Sequence, residues 1–355
     1  MTALEKLRIK MKDNGLDAVI IYDELNQRYL SKFAFTDGLL FITALSAYLV
    51  TDFRYYEMAQ HSADNAFSVT MPEDRNAFLK DAAAKDGCKV IGFEGDFIAF
   101  SRYKRLCELF GTRKLESIGG LIEEIRQIKE PYEIECMQRA QDITDKAFSH
   151  ILSVLDPDKM TELDVAVELE YAMRKNGADG FAFDTIAVSG DASALPHGTP
   201  RNVKLKKGFL TMDFGAKLDG YCSDMTRTVV IGRADEEAKK LYGTVLKAQT
   251  AALDFLRAGV DSGEADKVAR DIIDRDYKGA FGHSLGHSVG LFIHESPRLS
   301  PKSFGYKLRR GEILTVEPGI YIFGKQGCRI EDMVKIEDNG IYNFTHSRKE
   351  LIEIL

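Results

Sequence analysis

The stretch Phe209–Val230, FLTMDFGAKLDGYCSDMTRTVV, leaves this chain few ways to fold. Two apolar runs of β-forming residues meet at Lys217–Gly220, where Asp219-Gly220 supplies a turn. This pattern predicts a β-hairpin. With Leu218-Asp219 as a two-residue loop, Lys217 pairs with Gly220, and Asp213 faces Asp224. Directly opposed residues hold their Cβ atoms about 4.5–5.5 Å apart on one face. Two carboxylates that close, set among Phe, Met, Leu and Val, repel each other. Burial then raises at least one pKa unless a cation lies between them. Taken alone, the hairpin fits a metal site or a pair of acids turned to water; the rest of the chain decides.

A chain of 355 residues, 45% of them hydrophobic, is long enough for two domains with sizeable cores. Acidic residues outnumber basic ones, 55 to 48, which argues against a nucleic-acid binder. The cysteines Cys88, Cys107, Cys136, Cys222 and Cys328 are scattered without CxxC spacing. They read as free thiols in a reducing, cytoplasmic compartment. The N-terminus MTALEKLRIKMKDNGLDAVII alternates charge with apolar residues and reads as a helix followed by a strand, not a signal peptide. The longest nearly apolar run, residues 38–50, is too short to span a membrane.

Residues 1–120 alternate short strands (16–22, 39–43, 47–51, 89–93) with helices (4–14, 55–61, 76–84, 101–110), as in a small α/β domain. Asp52-Phe53-Arg54-Tyr55 reads as a solvated helix start, with a ligand contact as the alternative. Gly119-Gly120 marks a boundary, residues 121–131 a charged linker, and residues 132–355 a second domain. In that domain Pro131 opens a long helix, and Thr161 with Asp164 forms a capping-box pattern for the next. A strand (181–189), a loop with Leu195-Pro196-His197-Gly198 and the acidic hairpin follow. The order then repeats: helices at 236–257 and 264–274, the loop GHSLGHSVGLFIHESPR, and a second hairpin with arms 313–323 and 328–336. This hairpin carries Glu317 and Glu331. Two halves of helix, helix, loop and acid-bearing hairpin predict a pseudo-symmetric domain whose acids meet at its centre.

Of the 7 histidines, His197, His283, His287 and His294 all lie in the two Gly-rich loops flanking the hairpins. His283 and His287 are separated by Ser-Leu-Gly, so the Glu of an HExxH zinc motif is absent. The candidate centre is Asp213, Asp224, His287, Glu317 and Glu331. Four carboxylates neutralise two divalent cations. Oxygen-rich ligation favours a hard ion such as Mn2+, with Co2+, Zn2+ or Fe2+ as alternatives. Two metals about 3.5–4 Å apart can share a bridging hydroxide that is nucleophilic near neutral pH.

The motifs MDFGAKLDGYCSDMTRT, GHSLGHSVGLFIHE, TVEPGIY and RIED resemble the pita-bread metallopeptidases, in particular the prolidase and aminopeptidase P group. VTDFRYYEMA and IRQIKEPYEIE resemble the creatinase-type N-terminal domain and its linker. The resemblance implies a pita-bread catalytic domain behind a smaller α/β creatinase-like domain. It makes the five candidate residues the ligands of two metals, with Asp224 and Glu331 bridging and Asp213 bound through both oxygens. His197, His283 and His294 match the family's active-site histidines, and Arg298 matches the residue that holds a dipeptide's C-terminal carboxylate. Ser288, where Gly is common, and Cys328, where an aliphatic residue is common, are the departures.

The implied activity is hydrolysis of the bond between an N-terminal residue and proline, with a slight tilt to dipeptides. A hydroxide held by the metals attacks the carbonyl, His294 and His197 steady the oxyanion, and Glu317 relays the proton. Short peptides with proline second are the implied substrates, and a homodimer is the implied assembly. A broader metalloaminopeptidase and a non-catalytic pita-bread binding protein are the alternatives. A metal-free creatinase-like enzyme lacks the acidic ligands that are all present here.

Overall fold

The structure is a computed structural model and describes residues 1–355. The chain divides into two compact units, Met1–Arg126 and Gln127–Leu355.

The first unit is built on a six-stranded mixed sheet. In chain order its elements are α1 (Ala3–Asp13), β1 (Ala18–Ile21), α2 (Glu24–Ser31), β2 (Leu39–Thr43), β3 (Ala47–Val50), α3 (Phe53–Ser62), β4 (Ser68–Thr70), α4 (Arg75–Lys85), β5 (Val90–Phe93), α5 (Phe100–Phe110), β6 (Lys114–Ser117) and α6 (Leu121–Arg126). The strand order is β4-β3-β2-β1-β5-β6. The central strands β1 and β2 are buried at every position, as expected of apolar runs covered on both faces. Thr2 caps α1 in a capping box with Glu5, and Asp52 caps α3, the solvated start expected there.

Four elements depart from the sequence expectation: the short edge strands β4 and β6, which it did not include, and the helices α2 and α6. Helix α2 was not anticipated, because Asn26, Gln27 and Ser31 are polar yet buried. Asn26 donates to Glu94 Oε1 at 2.9 Å and accepts from Arg126 Nη1 at 2.8 Å. Residues 121–126, expected as the start of the linker, form α6 instead. Its Leu121, Ile122 and Ile125 are buried at helical spacing, so this stretch belongs to the first unit.

The second unit begins with α7 (Pro131–Val154), which has Pro at its first position and a Glu130–Glu133 capping box. It continues with α8 (Glu162–Lys175), β7 (Gly180–Phe181), β8 (Ile186–Ser189), β9 (Gly208–Phe214), β10 (Ala216–Leu218), β11 (Tyr221–Cys222) and β12 (Met225–Ile231). The second half has α9 (Glu236–Phe255), α10 (Ser262–Tyr277), β13 (Gly286–Ser288), β14 (Glu295–Leu299), β15 (Ile313–Val316), β16 (Gly319–Ile322), β17 (Gln326–Arg329), β18 (Asp332–Glu337), β19 (Gly340–Asn343) and β20 (Glu353–Ile354). The main sheets run β20-β12-β9-β8 and β14-β13-β15-β18-β19.

Each half packs its helix pair on its own strands. Phe148 and Leu169 of α7 and α8 share a core with Met212, Phe214 and Val229. Leu241, Val245 and Ala269 of α9 and α10 share one with Leu314, Val316 and Val334. The repetition extends to a detail: the residue before the second helix of each half bridges to a lysine, Thr161 to Lys204 and Asp261 to Lys307.

The acidic hairpin forms, but its register is not the one expected. Lys217 pairs with Cys222 and Leu218 with Tyr221, so Asp219-Gly220 is the two-residue loop. Both loop residues have positive φ, 49° and 79°. That is the mirror-image turn which matches strand twist and which Asp-Gly favours. Consequently Asp213 opposes Thr226, not Asp224. The displacement is two residues, the repeat of a strand, so Asp224 keeps its side of the sheet. Between these acids the strands close so tightly at Gly215 that a Cβ there would lie 2.0 Å from Ser223 O.

Candidate metal centre and active site

The four carboxylates and one imidazole singled out from the sequence all line one cavity of about 440 Å³. The four carboxylates come from the ends or interruptions of strands, and the imidazole from within one. Asp213 is the penultimate residue of β9, Asp224 immediately precedes β12 and His287 is central in β13. Glu317 immediately follows β15, and Glu331 sits between β17 and β18. The ladders flanking the second hairpin's gap share one register, Val316 with Asp332 and Gly319 with Arg329. That register sets Glu317 across from Glu331.

Ligand atoms of Asp224, His287 and Glu331 lie within 4.8 Å of one another, a group able to hold a metal ion. His287 Nε2 is 3.6 Å from Asp224 Oδ2 and 3.4 Å from Glu317 Oε1. The His287 Nδ1–H donates to Ser288 O at 3.2 Å, which leaves the Nε2 lone pair facing the acids. Burial, together with the nearby His294, pulls the His287 pKa down to about 3, so this imidazole is neutral at physiological pH. Burial and the Glu331 charge push the Asp224 carboxyl well above the ordinary range. Burial and Glu317 do the same to Glu331. Burial takes Glu317 up to about 8, with Arg329 opposing the rise and Asp213 adding to it. Such a cluster cannot ionise fully without added positive charge.

A hydrogen-bonded scaffold fixes these groups. Thr226 Oγ1 donates to Glu331 Oε2 at 2.7 Å, and Thr315 Oγ1 donates to Glu317 Oε1 at 3.2 Å. Arg329, buried at 3% exposure, donates through Nη2 to Asp213 Oδ2 at 2.6 Å. The other oxygen, Asp213 Oδ1, is buried with no partner. Arg329 Nη1 also donates to Tyr321 Oη at 2.7 Å. Tyr321 Oη in turn lies 2.9 Å from His283 Nε2, and His283 Nδ1 lies 2.9 Å from Ser284 O. With Nδ1–H donating to Ser284, the Tyr321 hydroxyl donates to His283 Nε2. Burial, aided by Arg329, lowers the His283 pKa to about 4.

His197, His294 and Arg298 also line the cavity, and the rings of His294 and His287 meet edge to face with centroids 4.5 Å apart. All the residues singled out therefore face one space. Sequence reasoning missed Arg329 and Tyr321, although RIED and GIY were in view. The available signal was an arginine two residues before an acid, a residue that a cluster of carboxylates needs. It also missed the wall formed by Phe183–Ile186.

An orphaned carboxylate oxygen, a neutral imidazole and three acids with raised pKa fit divalent cations, not a bare acid–base pair. With the duplicated helix–hairpin domain, they define a pita-bread metallopeptidase. Residues 135–338 match metallopeptidase family M24, and residues 4–128 match the creatinase/prolidase N-terminal domain. The chain belongs to family M24. It is 37% identical to an Xaa-Pro dipeptidase from Pyrococcus horikoshii, over 96% of each chain. Its structure is similar to that of an Xaa-Pro dipeptidase from Bacillus anthracis, with TM-score 0.95 and 38% identity over 99% of each chain. It is also similar to an X-Pro aminopeptidase from Thermotoga maritima, with TM-score 0.91 and 35% identity over 98% of this chain and 100% of that one. No helix is long and apolar enough to cross a membrane.

Proposed function

We propose that this chain is an Xaa-Pro peptidase that hydrolyses the bond between a peptide's first residue and proline, with dipeptides preferred. The carrying observation is the convergence of Asp213, Asp224, His287, Glu317 and Glu331 on one cavity in a chain like Xaa-Pro dipeptidases over its full length. These five residues would hold two divalent cations, Mn2+ first among them. When bound, such cations polarise a carbonyl and lower the pKa of water toward neutrality.

The chain's own groups do the rest. Glu317 accepts the proton of the attacking water and returns it to the leaving imino nitrogen. His294 and His197 donate hydrogen bonds to the carbonyl oxygen as negative charge develops there. His283, held by Tyr321 and Ser284, completes the histidine wall. Arg298 grips the dipeptide's C-terminal carboxylate, a planar pair that suits guanidinium. Five free cysteines agree with a cytoplasmic setting, and a homodimer is the assembly proposed.

The test compares Ala-Pro with Ala-Pro-Gly, with and without Mn2+, for the wild type and Arg298→Ala. The expected result is metal-dependent cleavage of Ala-Pro that Arg298→Ala weakens selectively. Equal losses on both substrates would reject the carboxylate role of Arg298. Cleavage undiminished after exhaustive chelation would reject the metal site. Likeness to the Thermotoga maritima aminopeptidase supports a second reading, in which Ala-Pro-Gly is the better substrate.

A further inference from the structure

Lys129 belongs to the IRQIKEPYEIE stretch, and the chemistry above gives it no task. Its side chain is 1% exposed, and lysine is almost never so buried without a partner. Its Nζ donates to Glu295 Oε2 at 2.9 Å and to Ser288 Oγ at 3.4 Å. The Glu295 side chain is itself only 9% exposed.

These two partners bracket the histidine loop. Ser288 directly follows His287, and Glu295 directly follows His294. They pair across the β13–β14 ladder, where the register shifts between His287 and Ser288. The loop between them folds back on the Glu295 carboxylate. Phe292 N donates to Glu295 Oε1 at 3.1 Å, and a Cβ on Gly290 would lie 2.6 Å from Glu295 Oε2. The backbone that carries this side chain is also anchored: the Lys129 amide donates to Gly311 O at 3.2 Å, and Glu130 caps α7. A buried ion pair is a poor source of stability, since well-packed apolar residues often replace one without loss. An apolar pair would fill this space but would orient neither Ser288 nor the Phe292 amide.

We propose that the buried Lys129–Glu295 pair is a positioning device that sets His287 and His294 relative to each other through the loop joining them. Lys129 and Glu295 act on these rings and touch no reacting atom. The inference rests on the Xaa-Pro reading only for its activity assay.

The test uses the full chain as wild type, Lys129→Met, Lys129→Arg and the double variant Lys129→Met/Glu295→Met. Melting temperature, kcat and KM on Ala-Pro at saturating Mn2+, and Mn2+ affinity by calorimetry without substrate, are compared. Lys129→Met takes the ammonium away from a buried carboxylate and is expected to melt lower and turn over more slowly. The double variant removes both charges of the pair and is expected to recover the melting temperature. Its kcat and Mn2+ affinity are expected to stay down by about tenfold or more, the usual range for groups that orient metal ligands. Its KM is expected to move by less than about twofold, since ground-state binding is untouched. Lys129→Arg is expected to restore part of kcat. A double variant with wild-type kcat and Mn2+ affinity would overturn the proposal, as would one that melts as low as Lys129→Met. A wild type inactive on Ala-Pro would reject the substrate reading and leave the affinity comparison standing.

Discussion

The two acid-bearing hairpins carry the same load with different registers. In the second, Glu317 stands across from Glu331, and the arms close through a three-residue loop with Gly324 at φ 72°. In the first, Asp213 and Asp224 are staggered by two residues, because the loop is Asp219-Gly220. Loop composition therefore decides how carboxylates meet. A loop of two residues with positive φ at both gives one set of partners, and moving it by one residue changes every partner by two. The staggered pair also needs outside help. Arg329, from the second hairpin, holds Asp213, whereas the opposed glutamates are each steadied by a threonine hydroxyl.

The largest effect that probes this comparison comes from removing one charge in each hairpin. Asp224→Asn and Glu331→Gln should each reduce Mn2+-dependent Ala-Pro turnover by on the order of a thousandfold or more, since each deletes a charge that the cations must neutralise. Full turnover by either variant would separate that hairpin from the site.

Next is the close approach at Gly215 in the first hairpin. Gly215→Ala places a methyl against the Ser223 carbonyl, a backbone atom that cannot turn aside. Overpacking of this kind costs about 1–3 kcal/mol and shifts the backbone beside both aspartates. A lowered melting temperature with greatly weakened Mn2+ binding is expected. Unchanged binding would mean the strands need not approach so closely to place the acids.

Much of this was legible in the sequence. Pro131 and the Thr161–Asp164 capping box located α7 and α8, and the repeated order of helices, loop and apolar β-forming runs located α9, α10 and the strands of both hairpins. The gathering of four histidines and four acids around repeated elements pointed to one centre. What escaped depends on long-range partners. Helix α2 hides its buried face in Asn26 and Gln27: Asn26 is held by Glu94 and Arg126, far along the chain, and Gln27 donates to the carbonyls of Ile21 and Gly38. The staggered register follows from the φ values of Asp219 and Gly220, not from the apolar pattern, which both registers fit equally.

The two halves also differ at the start of their second helices. Glu162 opens α8 fully buried, accepting from Ser189 N at 2.8 Å and from Arg201 Nε at 2.8 Å. Ser262 opens α10 and donates its hydroxyl to Arg298 O. Burial alone would raise the Glu162 pKa, but Arg201 and Ser189 outweigh it and hold it below 4.5. A depressed carboxylate stabilises the fold above its unfolded pKa and loses that contribution as pH falls through its folded value. Glu162→Gln should therefore cost about 1.5–3 kcal/mol at pH 7, shrinking below pH 4. Ser262→Ala should cost about 1 kcal/mol at both pH values, because no charge is involved. Parallel pH profiles for the two variants would refute the assignment of charge to one half.

The smallest effects test the turns themselves. Gly220 at φ 79° and Gly324 at φ 72° both occupy the left-handed region, so alanine at either should cost about 1–2 kcal/mol. Equal losses in melting temperature are expected, but unequal losses in activity. Strain at Gly220 can be relieved by moving the loop back to Leu218-Asp219, which places Asp213 opposite Asp224 and disturbs the grip of Arg329. Gly324 lies seven residues from both Glu317 and Glu331, whereas Gly220 lies four from Asp224, and no atom lies within 4 Å of a Cβ added at Gly324. Gly220→Ala should therefore lower kcat more than Gly324→Ala does. Gly220→Asn should recover most of the loss, because asparagine tolerates positive φ. If Gly220→Ala and Gly324→Ala lose activity equally, loop strain is not transmitted to the aspartates, and the register is held by Gly215 and Arg329 instead.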